Sequence, residues 1–305
     1  MSDYNLLKKL CEINATSGNE HKLTSFLINH IKKNQKNWKQ VPEIYHGENF
    51  QNNIVLSFGE PKTAIFAHID SIGYTVSYNN NVVKIGASKL ENDISLVGED
   101  SQGNIETILK IEKERAFVKY SRIIDRGTPL SYKVDFKLNN EYVQSAYLDN
   151  RLGVYSALKV AESLTNGVIV FSTWEEHGGG SVSYLSKFIY EKLGINKALI
   201  SDITWITKGI KHNKGVVISL RDSAIPRKIF LDSVIEIANK HKTKYQLEVE
   251  SSGGSDGNEI QKSPYPIDWC FIGAAEDNVH TPIEKVHLND IESMIEFYKV
   301  LMREL

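Results

Sequence analysis

Cysteine is nearly absent: the 305 residues include two, Cys11 and Cys270. Two are too few for a disulfide framework. Cys270 lies in the apolar run WCFIG, where the expected role is that of a small buried hydrophobe, and neither thiol is expected to be a nucleophile. An excess of one charge is absent too. Thirty-six Lys and Arg against 38 Asp and Glu leave a formal net charge of −2, with a pI near 6.5. No basic cluster is interleaved with aromatics, so neither nucleic acid nor an anionic membrane is an expected partner. No apolar run approaches the roughly 20 residues that span a bilayer. The opening MSDYNLLKKL lacks the basic-then-apolar layout of a secretory signal, and the expected location is the cytoplasm. Internal repeats and low-complexity linkers are missing as well. A composition of 41% hydrophobic and 24% charged residues is that of a globular chain with a sizeable core.

The patterning alternates between helix and strand at both ends of the chain. DYNLLKKLCEI places Leu6, Leu7, Leu10 and Ile13 on one helical face. SGNE, with Ser17 and Glu20 three apart, reads as a capping box opening a second helix. NIVLSFG and AIFAH read as strands. Between Tyr74 and Val143 no helical period is persuasive. YTVSYNNNVVKIG reads as a hairpin about an Asn-rich turn, and TILKIEKERAFVKYS as a second strand pair. From NRLGVYSALKVAESL onward the alternation resumes, through KALIS, IPRKIFLDSVIEIANKH, KYQLEV, IDWCFI and a last helix after Asn289. The expected fold is α/β, with one α/β domain (1–72 plus 145–305) interrupted by a small inserted β domain (73–144).

The stretch FSTWEEHGGG raises the functional question. GVIVFSTW reads as a strand buried on both faces, and SVSYLSKFIYEKL carries apolar residues at helical spacing. Glu175 and Glu176 therefore sit on a strand-to-helix loop. An isolated Glu-Glu pair is ordinarily a solvated turn, but in open α/β sheets this edge is where ligands bind. Other acids and histidines fall at the same edge: His68 and Asp70 after AIFA, Asp149 before a helix, Asp202 after KALIS, and His280 after WCFIGAAEDNV. Singly each has a dull explanation, such as Asp149 capping its helix. Together, two imidazoles and several carboxylates suit zinc or a similar divalent metal, and a carboxylate with two oxygens can bridge two ions. Asp70 is placed to orient the His68 imidazole. One glutamate of the pair can bind metal while the other moves protons.

The motifs AHIDSIGY, YLDNRLG, WEEHGGG, ISDIT, GGSDGNEI and VHTPIE, in this order, resemble the glutamyl aminopeptidase family of dinuclear metallo-aminopeptidases, which includes the TET-type enzymes. The resemblance covers nearly the whole chain. It implies a zinc-exopeptidase-like α/β/α domain with a mixed, mostly parallel sheet and a β insertion after the first metal-binding histidine. It also implies two divalent ions per subunit, zinc with cobalt or manganese as alternatives. Carried over by position, it makes Asp149 the bridging ligand. His68 and Asp202 complete one site, Glu176 and His280 the other, and Glu175 is the general base, with Asp70 beside it in the catalytic machinery. Peptides are the implied substrates, cleaved at the amino terminus, and a homo-oligomer built partly through the insertion is the implied assembly. Ser71, Asn150 and His177 depart from the family's usual residues, while every implied ligand is kept. Trp174 and Trp205 flank the site and are expected to pack, and His177 to be structural or solvated.

Three other readings stand beside this one. A related carboxypeptidase or N-acyl-amino-acid deacylase would use the same metal chemistry and hold a free carboxylate with an arginine, for which Arg151 and Arg221 are candidates. A catalytically inactive binding protein would keep the fold alone. A nucleic-acid-binding module lacks any supporting basic surface.

Overall fold

The computed structural model describes residues 4–113 and 115–305. Residues 1–3, and residue 114 within the expected second strand pair, lie outside the described residues. Two helices lead, α1 (Asn5–Glu12) and α2 (His21–Asn34), followed by strands β1 (Glu43–Tyr45), β2 (Ile54–Phe58) and β3 (Ala64–His68). A run of strands then forms the middle: β4 (Gly73–Val76), β5 (Val82–Ile85), β6 (Ser95–Asp100), β7 (Gly103–Glu112), β8 (Arg115–Lys119), β9 (Pro129–Tyr132), β10 (Lys137–Leu138) and β11 (Tyr142–Ser145). Helix α3 (Leu148–Ala161) restores the alternation with β12 (Gly167–Ser172), α4 (Val182–Lys187), β13 (Lys197–Trp205) and β14 (Val216–Arg221). The chain ends with α5 (Lys228–Lys240), β15 (Tyr245–Val249), α6 (Asp256–Lys262), β16 (Asp268–Asp277), β17 (Glu284–His287) and α7 (Leu288–Glu304).

The large sheet runs β1-β2-β12-β3-β13-β16, parallel through β12, β3, β13 and β16 and antiparallel at β1 and β2. The far edge of β16 is shared: its middle residues, 271–273, pair with β14, which holds β15, and its last residues pair with β17, which leads to β11 and β10. Side chains alternate in the central strands. Ile65, Ala67, Ile169 and Phe171 join the core under α1, α2, α3, α5 and α7. Phe66, Val168 and Val170 join the core under α4 and α6. Both faces are thus covered, each buried Val, Leu, Ile or Phe contributing about 1.5–3 kcal/mol relative to exposure, and the apolar run GVIVFS is explained.

The second sheet, β5-β4-β9-β6-β7-β8, is wholly antiparallel. A bridge from Asn81 to Phe117 brings its two end strands together, giving a barrel-like unit around Tyr74, Leu96, Leu109, Val118 and Leu130. Strands β10 and β11 fall inside the segment 73–144 that the sequence assigns to the insertion, yet they pair in the large sheet, so the small sheet ends at Tyr132. The capping box at Ser17 does not form. The Ser17 hydroxyl donates to Asp70 at 2.5 Å, Glu20 accepts from the Gly18 N–H at 2.6 Å, and α2 starts only at His21.

Candidate metal centre

Because β3, β12, β13 and β16 are parallel, their carboxyl ends share one edge, and the residues collected from the sequence meet there. His68 ends β3; Glu175 and Glu176 follow β12; His280 follows β16. Asp202 sits inside β13, which continues to Trp205 rather than stopping in a turn. Asp149 lies at the start of α3 in a non-helical conformation, with a cis peptide to Asn150. One ligand atom each from His68, Asp149 and Asp202 fall within 4.8 Å of one another, as do those of Asp149, Glu176 and His280. Asp149 is common to both groups. Its Oδ1 is 3.3 Å from His68 Nε2 and its Oδ2 is 3.2 Å from His280 Nε2. Asp202 lies 3.6 Å from His68 Nε2, and Glu176 lies 3.4 Å from His280 Nε2. Glu175 approaches His68 at 3.8 Å and belongs to neither group.

Two further carboxylates grip the backbone that carries these side chains. Asp70 is fully buried, and its two oxygens accept the N–H groups of Glu175 at 3.0 Å and Glu176 at 3.1 Å. It also faces His68 Nδ1 at 3.5 Å. It is not among the residues that line the cleft, and its contacts are with the loop backbone, Ser17 and His68. Glu284 grips the backbone on the other side, accepting from Asp149 N and His280 N, each at 3.1 Å. Glu284 is not among the acids that the strand-end pattern singles out, and its only signal in the sequence is its place at the end of VHTPIE. Buried Asp256, inside GGSDGNEI, takes a hydrogen bond from the Ser172 hydroxyl at the end of β12.

Burial and mutual repulsion dominate the electrostatics of the site. Burial pushes the Glu175 carboxyl well above its usual range; burial and then Asp149 do the same to Glu176, and burial does it to Asp202. Burial opposes charging of His68, but the surrounding Asp202 and Glu175 carboxylates overcome it and hold the imidazole well above its ordinary value. Burial likewise works against an ionised Asp149, yet hydrogen bonds from His280 and His68 keep its carboxyl well below the usual range. Glu176 Oε1 is buried with no hydrogen-bond partner. Among the described residues, no lysine or arginine lines the cleft. Buried carboxylates need a charge partner or a coordinated metal to ionise, and a mixed imidazole and carboxylate donor set fits zinc-like divalent ions.

The cleft, about 310 Å3, is lined by both ligand groups and extends past Thr204 and Trp205 to Asp222, Glu248 and Glu250. Trp205 is 40% exposed at its wall rather than packed away, whereas Trp174 packs along Gly18 and Gly180. The small sheet contributes Ala87 to the lining, and Gly86 N donates to His177 Nδ1 at 3.1 Å. Arg151 is fully buried and donates to the carbonyls of Leu10, Ile69 and Asp70. Arg221 Nε donates to the carbonyls of Asp222 and Glu250. Neither lines the cleft as a receptor for a substrate carboxylate. Burial pushes the Cys11 thiol up to about 12, and no role in the site falls to it.

Among relatives, a lysyl aminopeptidase of Pyrococcus furiosus is 24% identical over 356 residues, covering 100% of this chain and 98% of its own. Among solved structures, an aminopeptidase from the archaeon Desulfurococcus kamchatkensis superposes with a TM-score of 0.87 at 21% identity, covering 98% of this chain and 94% of the other. A TET peptidase of Pyrococcus horikoshii, described as able to assemble into a tetrahedron or a large octahedral shell, gives 0.86 at 21% identity with 100% of both chains covered. These likenesses show the fold. The sequence profile of the M42 glutamyl aminopeptidases matches residues 110–297, more than half of the chain and the part that carries Asp149, Glu175, Glu176, Asp202 and His280. The chain therefore belongs to the M42 glutamyl aminopeptidase family, and is a hydrolase that releases residues from the amino terminus of peptides.

Proposed function

We propose that this aminopeptidase works with two divalent ions, zinc in the first instance with cobalt or manganese as substitutes. His68, Asp149 and Asp202 would hold one, and Asp149, Glu176 and His280 would hold the other. The observation that carries this reading is Asp149, whose two oxygens face two different histidines at 3.3 and 3.2 Å. Bound there, the ions would lower the pKa of water and polarise the scissile carbonyl. Glu175 lies at the same cleft outside both ligand groups. It takes the proton of the attacking water and delivers it to the leaving amine, a contribution of about 10²–10⁴ in rate. Asp70 and Glu284 hold the backbone of Glu175, Glu176, Asp149 and His280 in register. The commitment of Arg151 and Arg221 to main-chain carbonyls favours this reading over a carboxypeptidase or deacylase.

The segment 73–144 serves, in this reading, for assembly and access rather than for metal binding, with its separate sheet ending at Tyr132. Its residue Ala87 shades the cleft, and the protein forms a homo-oligomer partly through it. The P. horikoshii relative, which can assemble into a tetrahedron or a large octahedral shell, supports that expectation.

Purified protein stripped with a strong chelator should lose activity on aminoacyl anilides and regain it on adding zinc, cobalt or manganese. Acetylation of the substrate's amino group should suppress cleavage. Full activity without metal, or faster cleavage of the blocked substrate, would overturn the proposal. Light scattering tests the assembly, for which a monomer at micromolar concentration is the contrary result.

A further inference from the structure

Beyond the metal centre, the cleft carries a second set of acids that the hydrolytic reaction does not use. Asp202 and Thr204 are two apart on β13 and so share a face, separated along the strand by about 7 Å. The Thr204 hydroxyl donates to the Glu248 carboxylate on β15. Asp222, just past β14, and Glu250, just past β15, line the same end of the cleft. Glu248 and Asp222 are buried, at 5% and 8% exposure. Asp222 accepts the Ala224 N–H at 2.6 Å. Arg221 ties the main chains of Asp222 and Glu250 together without entering the lining. Three carboxylates therefore line one end of a cavity that, among the described residues, has no lysine or arginine in its lining.

The cavity continues from the proposed ligands to these acids. A substrate whose amino terminus lies at the metal centre would extend its first side chain toward Glu248. The walls on the way are the exposed indole of Trp205, Phe271, Ile203 and Ala87. Such walls suit the aliphatic stem of a long cationic side chain, with an aromatic face available to its charge. Burial pushes the carboxyls of both Asp222 and Glu248 up from their usual range. An entering cation relieves that cost, and an entering carboxylate adds to it.

We propose that the cleft end formed by Asp222, Glu248 and Glu250 is a receptor for a cationic side chain, so that the enzyme prefers lysine or arginine at the amino terminus and rejects glutamate or aspartate. The inference rests on the aminopeptidase reading above and concerns only which residue is released. It gives each acid a stated part: Glu248, fixed by Thr204, marks the depth of the pocket; Asp222 closes its side; Glu250, half-exposed, lies toward solvent.

The test is a comparison of kcat/KM for Lys-, Arg-, Leu- and Glu-aminomethylcoumarin with the metal-loaded enzyme. Lysine and arginine should exceed leucine by about tenfold or more, and glutamate should fall at least another tenfold below leucine. Asp222→Asn, Glu248→Gln and Glu250→Gln should each lower the lysine-to-leucine ratio by about fivefold or more, mainly through KM. Glu250→Gln, at a half-exposed position, keeps the test available if Glu248→Gln does not fold. Leucine or glutamate cleaved faster than lysine by the parent, or a ratio unmoved in every variant that folds, would overturn the proposal while leaving the aminopeptidase reading intact. Failure to cleave any of the four would overturn both.

Discussion

Asp70 accepts the backbone N–H of Glu175 at 3.0 Å, from a position where it is itself fully buried. The proposed proton carrier is thus held through its main chain by a buried acid that does not line the cleft.

Asp70→Asn offers one oxygen where the parent offers two, while the N–H groups of both Glu175 and Glu176 need an acceptor. We expect kcat to fall by about 10–100-fold, with metal affinity lowered on a similar scale. Steady-state kinetics and metal titration of the same preparation check this. Parent-like values in both would show that the loop is fixed by other contacts.

The two glutamates of the pair should separate by metal content. Glu175→Gln should keep both ions, by elemental analysis, and lose about 10²–10⁴ in turnover. Glu176→Gln should lose metal as well, because it removes a candidate ligand. Equal metal content in the two variants would contradict the division of roles.

Arg151 belongs to stability rather than to recognition. Its guanidinium satisfies the carbonyls of Leu10, Ile69 and Asp70, and an unsatisfied buried polar group costs about 1–3 kcal/mol. Arg151→Met should therefore lower the stability of the metal-free protein by about 3 kcal/mol or more in denaturant unfolding. A raised KM at unchanged stability would instead point to substrate binding.

The small sheet contains an acid-sensitive clasp. Arg122 bonds both oxygens of Asp100, at 2.6 and 2.7 Å, and this holds the Asp100 carboxyl well below the usual range. A carboxyl depressed in the folded state stabilises above its unfolded pKa, and that contribution is lost as pH falls through the folded value. Arg122→Met should therefore lower the melting temperature at neutral pH, with a gap that closes in strong acid. A gap that is constant with pH would assign the effect to packing.

The central architecture was legible because burial on both sheet faces leaves a continuous apolar run, as in GVIVFS, and because helix periods stand out beside it. The hairpin YTVSYNNNVVKIG was legible from its Asn-rich turn. The edge at which His68, Glu175, Glu176, Asp202 and His280 meet could be inferred because parallel strands present their carboxyl ends together. Other features depend on partners distant in sequence. Ser17 has the form of a helix cap, yet Asp70 takes its hydroxyl across 53 positions. The end of the small sheet at Tyr132 is fixed by the pairing of β11 with β17, which no local pattern announces. Arg151 resembles any helix arginine until the carbonyls around it are seen. Asp222, Glu248 and Glu250 read as ordinary acids at strand ends, since nothing local reports that β14 and β15 fold toward the cleft.

Strands β14 and β15 hang from β16 beside the main path of the sheet, and neither holds a proposed ligand of the metal centre. A change at Asp222, Glu248 or Glu250 can accordingly alter which residue is accepted without disturbing the groups assigned to bond cleavage.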